Sequence, residues 1–348
     1  MVLLHGITNS WRTWLPVLPA LESEHDVLAL TLAGHYGAAP LPAGVTASVS
    51  ALTDAAERAL DEAGFDAAHL VGNSLGGWVA FELAKRGRAA SVVAFSPAGG
   101  RPRTSPEEAR RVARKIDLGF RLARVLSPVA GPLTRFPIGR RALFSQLAAH
   151  PERIPPQEAA YRLRALAGCA VLPGLLASIV GAPAERLDEI RCPVLLVWPT
   201  GDRVLPKAQS APSLLSALPE AQLLEPPDIG HMPMYDDPDL IAQIILDFAR
   251  AHSLKPAPRA SDRSPTPRSP TPRSPAHFGD STQPLPSAAP DEARKPTSWQ
   301  RQASAPRTQT SPWRAASLSQ LSRTSCLRPG RVNTAPHLGL QERATSSD

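Results

Sequence analysis

The stretch that most constrains this 348-residue chain is "HLVGNSLGGWVAFEL", residues 69–83. A short apolar run leads directly into Gly72-Asn73-Ser74-Leu75-Gly76, and apolar residues at i, i+3 and i+4 spacing follow. The first part reads as a buried strand and the last as a helix. A strand passing into a helix without loop residues between them makes a sharp turn, and Ser74 stands on it. Side chains two residues either side would collide there, which explains Gly72 and Gly76. The alternative is a polar residue in a Gly-rich loop. The flanking elements favour a serine held out as a nucleophile.

The same alternation runs on both sides of this turn. "MVLL" (1–4), "DVLAL" (26–30), "AHLV" (68–71) and "SVVAF" (91–95) are short, apolar and partly β-branched. Between them lie "SWRTWLPVLPALES", "ASVSALTDAAERALDEAG" and "SLGGWVAFELAKRG", the last two closing on Gly64 and Gly87, a usual helix stop. Residues 101–190 break the rhythm with several Pro-punctuated helices and no convincing strand. It resumes with "CPVLLVW" (192–198), a helix from about Pro206 to Leu218, "AQLLE" (221–225) and a helix from about Pro238 to His252. This pattern predicts an α/β fold with a doubly wound, mostly parallel sheet. Its core spans 1–100 and 191–254, and 101–190 form a helical cap over it.

From residue 255 the composition changes. The last 94 residues hold 15 Pro and 15 Ser and the repeat "RSPTPRSPTPRSP", too little apolar surface to offset ordering entropy. They are expected to be a disordered tail, either a bland solvated extension or a basic docking arm. The net charge of +7 belongs to this tail, which carries 14 Lys+Arg against 6 Asp+Glu, whereas residues 1–254 carry 24 against 25. That distribution argues against nucleic acid as the partner of the folded part. Within it, 101–190 hold 15 Lys+Arg against 8 Asp+Glu. A basic cap over an acidic body would favour an anionic or polar acyl substrate; the simpler reading of the same arginines, solvated helix faces, is the preferred one.

Cys169, Cys192 and Cys326 have no ligand spacing, so neither a zinc site nor a disulfide framework is expected. No run of 18 apolar residues occurs, so no membrane span is expected. "MVLLHGITNS" lacks the pattern of a signal peptide. The expected location is the cytoplasm.

A serine hydroxyl needs a base to take its proton, and the base needs a carboxylate to fix its tautomer. Of the nine histidines, His231 in "PPDIGHMPMYDDP" lies after the last predicted strand and before the last helix, beside Gly230. Asp202 in "LLVWPTGDRVLP" follows a strand end, where catalytic groups of a parallel sheet collect. Asp228 is too close to His231 in the chain to reach its far nitrogen. Asp236 and Asp237 read as caps of the last helix. The developing oxyanion needs two backbone donors. The N–H of Leu75, at the start of the helix after Ser74, is one. That of Ile7 is the other, aimed inward where Gly6 lets the chain turn. His5 reads as a structural support of that loop. Trp11, Met232 and Met234 flank the predicted site and are candidates for an apolar acyl pocket, or for core.

Together "HGITNSWRTW", "VGNSLGGWVAFELA", "SPAGG", "WPTGDRVLP" and "GHMPMYDDP" resemble the α/β-hydrolase fold superfamily, in its capped, Ser-nucleophile branch. The resemblance covers residues 1 to about 252. It implies hydrolysis of an ester or related acyl bond on Ser74, with Asp202 and His231 completing a triad and no metal or organic cofactor. Ser74 in place of an aspartate argues against an epoxide hydrolase or dehalogenase. "GNSLGG" also looks like the turn of C–C bond hydrolases of aromatic-ring degradation, and haloperoxidase-like enzymes share the triad. Family members usually begin with two further strands, so the sheet is expected to lack two edge strands and expose that edge. An inactive scaffold is the alternative from another class.

Overall fold

Alternating side chains on each strand explain the layered architecture. The computed structural model describes residues 1–100, 106–179, 182–253 and 331–332. The strands are β1 (Val2–Leu4), β2 (Leu28–Leu30), β3 (Ala68–Asn73), β4 (Ala89–Phe95), β5 (Val194–Val197), β6 (Gln222–Leu224) and β7 (Arg331–Val332). All pair in parallel, in the order β6-β5-β4-β3-β1-β2-β7. Leu3, Val71, Val93, Phe95, Leu195 and Val197 point into one apolar cluster. Their neighbours Val2, Leu4, Leu70, Val92, Ala94, Val194 and Leu196 point into another. A sheet buried on both faces needs such near-continuous apolar strands.

Helices cover both faces, as the alternation predicts. On the first lie α1 (Leu18–Glu22) and α11 (Pro238–Ala251), through Leu21, Ile241 and Ile245. On the second lie α2 (Val49–Glu62), α3 (Leu75–Lys85) and α9 (Lys207–Ala217), through Leu52, Leu60, Phe81 and Leu214. Each fully buried Leu or Phe contributes about 2–3 kcal/mol. Residues 10–23, a helix-length stretch in the sequence, form two short elements. Pro16 and Pro19 split them into a 3₁₀ turn at Trp11–Trp14 and the five-residue α1.

Between β4 and β5 the chain forms α4 (Pro106–Leu126), α5 (Ala130–Arg135), α6 (Pro137–Phe144), α7 (Pro156–Ala167) and α8 (Leu172–Ile179). A short α10 (Pro233–Asp236) precedes α11. Among the described residues, no single helix is long and apolar enough to cross a membrane; only α7 and α8 pass as a pair, bent by 74°. The tail from 255 lies outside the described residues except for β7, whose Arg331 and Val332 pair with Leu28 and Ala29 at the edge beyond β2.

Two histidines behind β1 make the fold acid-sensitive. His5 is fully buried, with its Nδ1–H donating to the Gly6 carbonyl at 2.7 Å and its Nε2 accepting the Leu32 N–H at 2.9 Å. His35 packs edge-on against it at 4.9 Å. Burial lowers the pKa of His35 to about 4. Burial, and then the charge His35 would carry, push that of His5 well down. The unfolded chain therefore binds protons that the folded chain refuses, and stability is lost as pH falls from about 6.5 to 4. His35 contributes about 1.4 kcal/mol per pH unit over that interval, and His5 acts in the same direction. Denaturant unfolding of the wild type should show this slope, and His35→Gln should flatten it by about one proton.

Candidate active site

Ser74 is the sole residue between β3 and α3. It adopts φ 55° and ψ −116°, a conformation that side chains resist, and it is held there from both sides. Its N–H donates to the Phe95 carbonyl at 2.9 Å, and its carbonyl accepts from Gly77 and Ala98, both at 3.0 Å. A Cβ on Gly72 would overlap the Gly76 carbonyl, and one on Gly76 would overlap Leu4 and come within 2.7 Å of the His5 oxygen. The glycines thus let β1, β3 and α3 meet under the serine. Gly76→Ala must part β1 from α3, so a destabilisation of about 3 kcal/mol is expected in urea unfolding. Gly87→Ala, which meets only open space at φ 76°, should cost about 1 kcal/mol.

The other predicted residues emerge at the same, C-terminal edge of the sheet. Asp202 lies in the loop after β5. Its Oδ1 accepts the N–H groups of Val204 (2.8 Å) and Leu205 (2.9 Å), and its Oδ2 lies 2.7 Å from His231 Nδ1. Both side chains are almost fully buried. Burial alone would raise the Asp202 pKa. The hydrogen bond and charge of His231, with the Leu205 N–H, hold it below the ordinary carboxylate range. His231 follows β6, and its carbonyl accepts from Asn73 Nδ2 at 3.0 Å. The residue before Ser74 therefore anchors the histidine loop beside the turn.

Leu75 opens α3, where the first N–H groups have no intrahelical partner. Ile7 follows Gly6 in the loop after β1. Gly6 is needed for a different reason than turning: a Cβ there would lie 3.3 Å from both Asn73 Oδ1 and the Ser74 Cβ. The left-handed turn falls instead on Thr8, at φ 66°. Gly230 likewise supplies space, since a Cβ would press on the Ala148–Ala149 backbone.

Asp237 caps α11 through the Leu240 N–H, as the sequence suggests. Asp236 does not cap. Its buried carboxylate accepts the N–H groups of Gly230 (2.8 Å), Ala149 (3.0 Å) and His150 (2.7 Å), tying the histidine loop to the inserted helices. The Met232 N–H adds a bond to Leu147 at 2.7 Å. Asp236→Ala would strand three donors. It should lower stability by about 3 kcal/mol and, by loosening the loop, activity by about a hundredfold. Chemical denaturation and steady-state rates well below the melting point measure the two separately.

Of the three pocket candidates, Trp11 is half-buried against the first core cluster and Met234 is wholly inside it. Met232 is buried at the site, with its sulfur 2.9 Å from Arg162 Nη1. Arg162, on α7, also donates to Asn9 Oδ1 (2.6 Å) and Thr13 Oγ1 (2.7 Å) and lies over the Tyr235 ring at 4.8 Å. Its helix neighbour Glu158 pairs instead with Arg12, so among the described residues Arg162 has no carboxylate partner. Nothing in the spacing Glu158–Arg162 signals this. It reads as an ordinary i, i+4 surface pair, because the true partner is 146 residues away. Among the described residues no cluster of His, Cys, Asp and Glu could hold a metal ion.

The family described as "Alpha/beta hydrolase family" matches residues 1–244. The chain belongs to this family. The α/β-hydrolase relatives include the epoxide hydrolase EphH of Mycobacterium tuberculosis, 34% identical over 203 residues that span 58% of this chain and 94% of the relative. Solved α/β-hydrolase structures share the fold at lower identity. A thermophilic esterase from Thermogutta terrifontis superposes with a TM-score of 0.55 at 22% identity, over 73% of this chain and 90% of the esterase. The 2-hydroxy-6-oxo-6-phenylhexa-2,4-dienoate hydrolase of Rhodococcus sp. strain RHA1 gives 0.54 at 22%, over 72% and 89%.

Proposed function

We propose that this α/β-hydrolase cleaves a small or medium carboxylic ester, or a related acyl bond, through an acyl-enzyme on Ser74. The buried 2.7 Å contact between His231 Nδ1 and Asp202, on a loop tied by Asn73 to the serine turn, carries the reading. His231 takes the hydroxyl proton at Nε2 as the oxygen attacks the carbonyl carbon, and Asp202 holds the Nδ1–H and stabilises the imidazolium. The N–H groups of Leu75 and Ile7 receive the oxyanion. His231 then gives the proton to the departing alcohol and activates a water that releases the acid. Met232 and Trp11 bound the acyl group. Every step is a proton or acyl transfer among these side chains, substrate and water.

The Mycobacterium tuberculosis relative raises epoxides as substrates. Chemistry disfavours them: a serine oxygen opening an epoxide leaves an ether, which offers water no carbonyl to attack. A ring-cleavage-type diketone is the second reading, favoured by the "GNSLGG" turn. A panel of acyl esters, vinylogous diketones and epoxides, run with a fluorophosphonate probe on wild type and Ser74→Ala, decides among these. Labelling and ester turnover lost together in the variant are expected. Folded wild type that takes no label and turns over nothing would instead make the chain a scaffold. A cytoplasmic location belongs to the same reading, resting on the isolated cysteines.

A further inference from the structure

The inserted helices carry a surface that the hydrolytic site does not use. Six of the eleven exposed large apolar side chains among the described residues fall within 118–138: Leu118, Leu122, Val125, Val129, Phe136 and Ile138, each 47–79% exposed. The first three recur at spacings of four and three, one face of α4, and Val129 lies in the turn beyond it. α4 packs through a different face, where Ala123 and Leu126 meet Ala160 and Leu163 of α7. The apolar face is therefore not a mis-set core.

Charge supplies the second observation. From 118 to 151 the chain has five arginines and no aspartate or glutamate. Arg140 is buried and spent on backbone carbonyls, but Arg121, Arg124, Arg135 and Arg141 are exposed. Asp117 answers Arg121 and Glu152 answers Arg141. Arg124 and Arg135 lie against the rings of Phe120 and Phe136, and among the described residues neither has a carboxylate partner. A shallow groove beside Phe136 is flanked by Arg135 and Arg164. An apolar helix face bordered by Arg121 and Arg124, with Asp117 as the acid beside it, is net basic, the pattern of a helix that lies in a membrane interface.

We infer that the outer face of α4, with the α5–α6 turn, docks on an anionic lipid surface. Leu118, Leu122 and Val125 enter the headgroup–acyl boundary, and Arg121, Arg124 and Arg135 meet lipid phosphates. A second copy of the chain fits poorly, because a two-fold contact would set the same arginines against each other. The tail fits poorly too, since it is itself basic.

Co-flotation of the full chain with phosphatidylglycerol–phosphatidylcholine vesicles tests this. Wild type should float with them and not with pure phosphatidylcholine. L122S/V125S, which leaves charge unchanged at two exposed positions, should bind about tenfold more weakly with an unaltered unfolding midpoint. R121Q/R124Q should bind more weakly and with a shallower salt dependence. Equal binding by L122S/V125S and wild type would assign attachment to the basic tail and overturn the proposal, as would no flotation at all. A wild-type dimer that L122S/V125S splits, without vesicle binding, would assign the face to a second copy. The readout is binding, so it stands whether or not Ser74 turns over an ester.

Discussion

Ser74→Ala is expected to abolish covalent labelling and to lower kcat on an acyl ester by roughly five to six orders of magnitude. The substitution removes one oxygen and leaves the Cβ that the turn already accommodates. No other group loses a bond it makes in the structure, because the turn is held by the backbone of residues 74, 77, 95 and 98. Alanine is no happier than serine at φ 55°, so the unfolding midpoint should move by less than a few degrees. An activity-dead protein of unchanged stability is the signature sought. A loss of only tenfold would mean that water attacks the substrate directly, with His231 as its base, and that no acyl-enzyme forms.

Asp202→Asn should cost about four orders of magnitude in kcat while leaving the loop in place. The asparagine oxygen can still accept from Val204 and Leu205, as Oδ1 does at 2.8 and 2.9 Å. Its amide nitrogen then faces His231 Nδ1 and donates where a carboxylate accepted. That bond forces the histidine proton onto Nε2, the nitrogen that must be free to take the serine proton. Fluorophosphonate labelling rates follow the same step and should fall in parallel. Equal rates for Asp202→Asn and wild type would mean that His231 takes its tautomer from another partner.

The three side chains were legible because each stands at a strand end marked by a short apolar run, in the order Ser74, Asp202, His231. Local grammar carried this far. It failed where the cause was distant. Asp236 looks like a helix cap from its position before Pro238, yet its partners are 6, 86 and 87 residues away. Gly6 and Gly230 look like turn glycines, but each makes room for a different part of the chain. Residues 10–23 depart from the helical pattern for a local reason, the prolines at 16 and 19. The pairing of β7 with β2 has no signal in a segment whose composition argues against packing.

The bonds at Asp236 have a mechanical consequence. Gly230 and Met232 bracket His231, and both are riveted to residues 147–150 of the inserted segment. If that segment swung away as one rigid gate, it would drag the histidine off Asp202 each time it opened. Any opening that keeps His231 on Asp202 must therefore leave residues 147–150 where they are. The stretch from α4 to α5 is fastened elsewhere, on α7 through Ala123, Ala130, Ala160 and Leu163, and takes no part in holding the histidine loop.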